Sequence, residues 1–193
     1  MIVVENLTKR YRGHKVLDNL SVNLNKGKAL FVLGENGSGK STFLKCLVSA
    51  LYYDGIINRT DGEKLIYAPE KVQFPHYLSV KTFLNIMCDN CQNLDFYLEK
   101  YHLEVSKNTK FSKLSKGMYQ KVVIIGTILT NADFYIFDEP LSGLDDYSQK
   151  TFMDDIKELI NKGKGVVIST HHLERYPTDI PYDIIKLGVE KKC

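Results

Sequence analysis

Gly34-Glu35-Asn36-Gly37-Ser38-Gly39-Lys40-Ser41-Thr42 fits the spacing G-x-x-x-x-G-K-[ST] of a phosphate-binding loop. Ahead of it, Ala29 to Leu33 is an apolar run that predicts a buried strand. Behind it, Phe43, Leu44, Leu47, Val48 and Leu51 recur at helical spacing. Strand, loop and helix form the context this motif needs, and a Gly-rich turn with a helix cap is the weaker account. Gly34, Gly37 and Gly39 let the backbone close around phosphates with N–H groups inward, and the helix N-terminus adds positive potential. Lys40 is expected to reach the β- and γ-phosphates, and the Ser41 hydroxyl to ligate Mg²⁺.

A second chemical motif is Phe134-Tyr135-Ile136-Phe137-Asp138-Glu139-Pro140, an apolar run ending in two acids. It places both carboxylates at the C-terminal tip of a buried strand, where open α/β sheets bind ligands. Two adjacent buried acids without a cation are costly, so a metal or phosphate site is expected there.

Around these motifs the chain reads as one soluble globular domain. Its 193 residues suffice for a real core, and 44% apolar with 25% charged content excludes a disordered or fibrous class. A net charge of +3 is dispersed among acids and does not point to nucleic acid. No basic segment with an apolar run follows Met1 and no stretch reaches ~18 apolar residues, so a cytosolic protein is expected. Cys46 should pack as a small hydrophobe, while Cys88-Asp89-Asn90-Cys91 is a C-x-x-C that reads as a redox pair or half a metal site, with no second ligand pair in the sequence.

In order, strands are expected at Ile2–Val4, Val16–Leu17 and Ser21–Leu24, around a polar turn from Tyr11 to Lys15. Tyr11 is either a hairpin aromatic or a platform for a base. Two more strands flank Thr60-Asp61-Gly62, and Asn58-Arg59-Thr60-Asp61 lies too close to Lys40 to read a guanine. A helical region over roughly 79–105, broken at Asn90–Asn93, precedes a buried helix that Ser115 caps. Asp145 leads into an amphipathic helix stopped by Gly163. Val166–Ser169 is a core strand delivering Thr170-His171-His172, and Tyr182–Ile185 is the last strand. Alternating strands and helices imply an α/β fold with a mostly parallel sheet.

The ordered set resembles the ATP-binding subunit of ABC transporters over essentially the whole chain. Gly34 to Thr42, including Glu35, Asn36 and Ser38, match its Walker A motif, and Phe134 to Glu139 its Walker B motif. Tyr11 falls at the base-stacking aromatic, and His171 at the switch histidine. Ser142-Gly143-Leu144-Asp145 is similar to the D-loop, giving Asp145 a coupling role. Leu114-Ser115-Lys116-Gly117-Met118 resembles the signature, usually L-S-G-G-Q, in a form similar to a bacterial exporter-type subgroup. Glu70 stands where the Q-loop usually has Gln, with Gln73 close by at a poorer offset.

The resemblance implies a P-loop NTPase of ABC type, residues 1–193 forming a single ATPase domain. Its approximate subdomains are an antiparallel β part at 1–30 and a helical part at 75–130, the remainder being the P-loop core. It further implies that two such domains close head-to-tail on two ATP molecules. Lys40 would hold phosphate, Ser41 and Asp138 would hold Mg²⁺, and Glu70 could add a metal contact. Glu139 would polarise the attacking water, His171 would contact the γ-phosphate, and Ser115 and Gly117 would complete the partner's site. The expected partners are a second ABC ATPase domain and a separate transmembrane subunit, with the chain peripheral on the inner membrane face. Two other readings are a soluble ABC-type ATPase in translation, DNA maintenance or protein assembly, and a nucleotide-binding regulator without hydrolysis. Neither tandem domains nor long coiled coils support the first, and intact Lys40, Asp138, Glu139 and His171 oppose the second.

Overall fold

The computed structural model describes residues 1–71, 75–88, 93–176 and 179–188. Gln73, Cys91, Cys193 and most of the Asn90–Asn93 break lie outside the described residues.

Two long antiparallel strands replace the three short ones expected at the start, β1 (Ile2–Tyr11) and β2 (His14–Leu24). Their turn shrinks to Arg12-Gly13, both at positive φ (47° and 88°), as in the mirror-image turns that suit twisted hairpins. Tyr11 pairs with His14, so the polar segment belongs to the strands. Later in the chain, β4 (Asp54–Arg59) adds to the other edge of β1, so the antiparallel sheet extends beyond residue 30. Gly55 is needed there, since a Cβ would lie 2.6 Å from the Asn6 carbonyl oxygen.

The second sheet is parallel. Its order is β5 (Leu65–Ala68), β6 (Phe134–Asp138), β7 (Gly165–Thr170), β3 (Ala29–Leu33) and β8 (Tyr182–Lys186). The helices are α1 (Lys40–Leu47), α2 (Val80–Met87), α3 (Leu94–Lys100), α4 (Lys116–Leu129) and α5 (Asp146–Asn161). Strand alternation divides the core. Leu30, Val32, Ile136 and Val167 pack against Phe43, Leu44 and Leu47 of α1, together with Leu7 and Leu24 of the antiparallel sheet. Phe31, Phe137 and Ile168 face the other way, toward Phe152 and Ile156 of α5. The rings of Phe137 and Phe152 meet edge-on at 5.1 Å. β3, β6 and β7 are neighbours, so their C-terminal tips deliver the phosphate-loop sequence, Asp138-Glu139 and Thr170-His171 to one place.

The helix expected to run on to about 105 stops at Lys100. Tyr101 is fully buried and His102 takes a positive φ of 54°, which an α-helix cannot continue. What holds this point is Asp155, 1% exposed on the buried side of α5. The Tyr101 hydroxyl donates to its carboxylate at 2.7 Å, and the Lys100 ammonium ion-pairs with the other oxygen. Burial pushes the Asp155 carboxyl up, against the pull of Lys100 and Tyr101. Replacing Asp155 by Ala leaves a buried phenol without an acceptor. Asp155→Ala should therefore cost about 2–4 kcal/mol of stability, measured by urea unfolding. A change below about 0.5 kcal/mol, the scale of ordinary surface substitutions, would deny the carboxylate that structural role.

Candidate active site

The loop at 34–39 crosses from β3 to α1, with Gly37 and Gly39 at positive φ. A Cβ on Gly39 would come within 3.0 Å of the Val16 backbone, so glycine there lets the β1–β2 hairpin sit against the loop. No side chain caps α1 and no acid lies in its first turn, which leaves the orphan N–H groups facing the cavity to meet an anion. Ser38 carries a buried hydroxyl without a partner.

Lys40 is 6% exposed, and its ammonium donates to the carbonyls of Gly34 (2.7 Å) and Glu35 (3.2 Å). It also ion-pairs with Glu139 at 3.1 Å. The Glu139 carboxylate in turn lies 3.1 and 3.2 Å from His171 Nδ1. Three side chains from three segments, expected to act together, do meet. Glu139 takes a positive φ of 47°, and its N–H donates to the Ser169 hydroxyl oxygen at 3.0 Å. The Ser169 hydroxyl donates to Asp138 Oδ1 at 2.5 Å, and the Tyr67 hydroxyl donates to Oδ2 at 3.0 Å. Burial first, then the Asp138 charge, pushes the Tyr67 phenol up, so it stays a protonated donor. Sequence reasoning missed both holders of Asp138. Only Ser169, ending the apolar strand beside Asp138, left a faint sign.

Lys40 and Glu139 line a cavity of about 580 Å³ that runs from Tyr11 past Ser41 and Thr42 to Glu70, while Asp138, Ser169, Tyr67 and His171 are not part of its lining. Tyr11 is 43% exposed at its rim, its ring 5.0 Å from the Lys9 ammonium. Glu70 is half-buried beside Lys71, a second cation of the lining that sequence reasoning passed over.

The family model for ABC transporters matches residues 17–142. The chain belongs to that family. It is similar to the uncharacterized ABC transporter ATP-binding protein MJ1023 of Methanocaldococcus jannaschii, with 35% identity over 186 residues. That match covers 90% of this chain and 69% of the relative. The phosphonates import ATP-binding protein PhnC of Fusobacterium nucleatum is 30% identical, covering 90% of this chain and 83% of its own. A solved ATP-binding subunit of an ABC transporter superposes with a TM-score of 0.85 at 26% identity, covering 96% of this chain and 87% of the other. The protein is therefore an ATP-binding subunit of an ABC transporter and an ATPase, with the P-loop fold expected.

In this ABC ATPase the segment Leu114–Met118 stands apart from the 580 Å³ cavity, none of its residues lining it. Ser115 caps α4 by accepting from the Met118 N–H at 3.2 Å. Gly117 lies against the carbonyl of Gly143, where a Cβ would be 2.6 Å away, and Lys116 donates to the Ser142 hydroxyl at 3.1 Å. Asp145 caps α5 through the Ser148 N–H (2.8 Å) and pairs with Lys121 (2.8 Å), which holds its carboxyl well below the usual range. The signature and D-loop segments are thus tied to each other. A second cavity of about 330 Å³, lined by Ser142, Gly143, His171 and Arg175, opens on the far side of Glu139.

Proposed function

We propose that this subunit hydrolyses Mg·ATP between two head-to-tail copies of the domain and thereby drives a separate transmembrane subunit. The observation carrying this is the single cavity that joins an aromatic rim at Tyr11 to a Gly-rich cradle and then to Glu139. Its span suits a ligand with a flat base at one end and a polyphosphate at the other. Lys40 leaves Glu139 for the phosphates, while the loop N–H groups take the remaining oxygens. Glu139 accepts from the water that attacks the γ-phosphorus, and its bond to the β–γ bridging oxygen breaks. His171, already beside Glu139, turns to the γ-phosphate oxygens. Ser115 and Gly117 serve the partner's site, which agrees with their absence from their own chain's cavity.

The donor set fits Mg²⁺ and not a protein-caged metal. Among the described residues no three His, Cys, Asp or Glu converge, whereas Mg²⁺ usually takes one or two protein oxygens, phosphates and waters. Ser41 and Asp138 would supply those oxygens, with Asp138 fixed by Tyr67 and Ser169 and Glu70 adding a contact from the rim. Bound Mg²⁺ would neutralise charge on the transferring phosphoryl group. Turnover should fall to background in excess EDTA and return with Mg²⁺. EDTA-resistant hydrolysis would overturn this assignment.

Among the described residues no helix is long and apolar enough to cross a membrane; in this reading the membrane subunit is a separate chain and the ATPase sits on the inner membrane face. The Leu-Ser-Lys-Gly-Met signature supports export, while the PhnC relative is named for import. Transport assayed in vesicles with the membrane subunit decides the direction, and uptake toward the ATP side would overturn export. Tyr11→Ala should weaken ATP binding by about 1–2 kcal/mol, the scale of a stacked ring, with Tyr11→Phe nearly silent. Equal affinity in Tyr11→Ala and the parent would make Tyr11 a hairpin aromatic only. Glu70 and Asp145 link the site to its surroundings. Glu70→Ala should lower ATPase stimulated by the membrane subunit more than the basal rate, and equal losses would place Glu70 in the chemistry.

A further inference from the structure

Two buried carboxylates of this chain are met differently by their neighbours. Asp155, 1% exposed, has the Lys100 ammonium beside it. Asp138, 3% exposed, has no ion-pair partner among the described residues. It is met by two neutral hydroxyls, Ser169 donating to Oδ1 at 2.5 Å and Tyr67 donating to Oδ2 at 3.0 Å. The strand register explains both. Asp138 pairs with Ser169 across β6 and β7, so their side chains share a face and a short hydroxyl suffices. Tyr67 pairs with Ile136, two residues before Asp138 on that same face, and the length of a tyrosine carries its hydroxyl diagonally to the carboxylate.

A buried carboxylate with neutral partners keeps its charge uncompensated, which is costly until a cation arrives. Each oxygen has given one lone pair to a hydroxyl, and the rest remain for a cation or its water. We propose that Tyr67 and Ser169 are positioning residues for the metal of Mg·ATP, and that by fixing both oxygens of Asp138 they set the preference for Mg²⁺ over Ca²⁺. This rests on the Mg·ATP reading above and adds the residues that tune the ion. Mg²⁺ demands near-ideal octahedral geometry at about 2.0–2.1 Å, whereas Ca²⁺ takes oxygens at about 2.3–2.6 Å in looser shells. A carboxylate held at both oxygens cannot retreat to the longer distance, while one held at a single oxygen can swing. The two hydroxyls differ in one respect. That of Ser169 also accepts from the Glu139 N–H at 3.0 Å, so it ties the metal's carboxylate to the residue that would accept from the attacking water. That of Tyr67 bonds to Asp138 alone among the described residues.

The test compares the whole parent chain with Tyr67→Phe and Ser169→Ala, using a fluorescent non-hydrolysable ATP analogue in EDTA, Mg²⁺ or Ca²⁺. By linkage, the ratio of its Kd in EDTA to its Kd in Mg²⁺ reports how tightly the nucleotide-bound protein holds the ion. Each variant should lower that ratio by roughly tenfold or more, the usual cost of losing a group that orients a metal ligand. The same ratio for Ca²⁺ should fall less, so discrimination between the two ions narrows. The Kd in EDTA should stay close to the parent's, which general damage to the fold would not allow. Turnover of Tyr67→Phe should recover in excess Mg²⁺, whereas that of Ser169→Ala should stay several-fold low because its contact with the Glu139 N–H is lost. Equal weakening of the Kd in EDTA and in Mg²⁺, an unchanged Mg²⁺ ratio, or equal losses for Mg²⁺ and Ca²⁺ overturns the proposal. A parent chain whose Kd ignores Mg²⁺ would instead overturn the Mg·ATP reading itself.

Discussion

Glu139→Gln should lower ATP turnover by about 10²- to 10⁴-fold, the range a positioned proton acceptor contributes. The substitution keeps the side chain's shape and removes the charge that we propose orients and polarises the attacking water. The backbone at this position should not move, because the Glu139 N–H is held by Ser169 and that bond does not involve the carboxylate. His171 can still bond to the amide. ATP binding should survive and tighten several-fold, since Lys40 no longer has to leave a 3.1 Å ion pair. Phosphate release and the Kd of a fluorescent ATP analogue give the two numbers. Turnover within threefold of the parent would remove Glu139 from the chemistry.

The parts of this site that could be read from the sequence are those whose chemistry is local. A Gly-rich loop between strand and helix, or two acids ending an apolar run, announces itself within about ten residues. The joint role of Lys40, Glu139 and His171 was implied by the family resemblance, and the sheet shows how they come together, because β3, β6 and β7 collect their tips on one edge. The groups that orient Asp138 were not legible in that way. Ser169 lies 31 positions away and Tyr67 71, and each looks like an ordinary strand residue until the sheet order is known. Asp155 was invisible for a similar reason: a charge on an amphipathic helix reads as solvated until Tyr101 and Lys100 arrive from another helix.

The antiparallel hairpin shows how a period-2 pattern fails. Asn6 and Asn19 take positive φ (53° and 52°), and the register of β1 against β2 shifts between Val4 and Leu7 and again before Lys9. Each irregularity flips the inward face, so a continuous strand reads as short fragments.

Lys40→Met should weaken ATP binding by about 2–4 kcal/mol, or roughly 30- to 900-fold, by taking the buried charge from the phosphates. Met nearly matches the volume of the stem, so the core around this 6% exposed side chain should hold and the melting temperature should move little. The variant also removes the resting bonds to Gly34, Glu35 and Glu139, which makes the pair Lys40 and Glu139 a thermodynamic unit. A double-mutant cycle on ATP affinity separates the two roles. If the ion pair must open for ATP to bind, Glu139→Gln tightens binding in the parent by relieving both that pairing and the repulsion between Glu139 and phosphate. In the Lys40→Met background only the repulsion remains to be relieved, so the gain should be smaller. Equal gains in the two backgrounds would show that the resting pair does not oppose nucleotide binding, and Lys40 would then act on the phosphates alone.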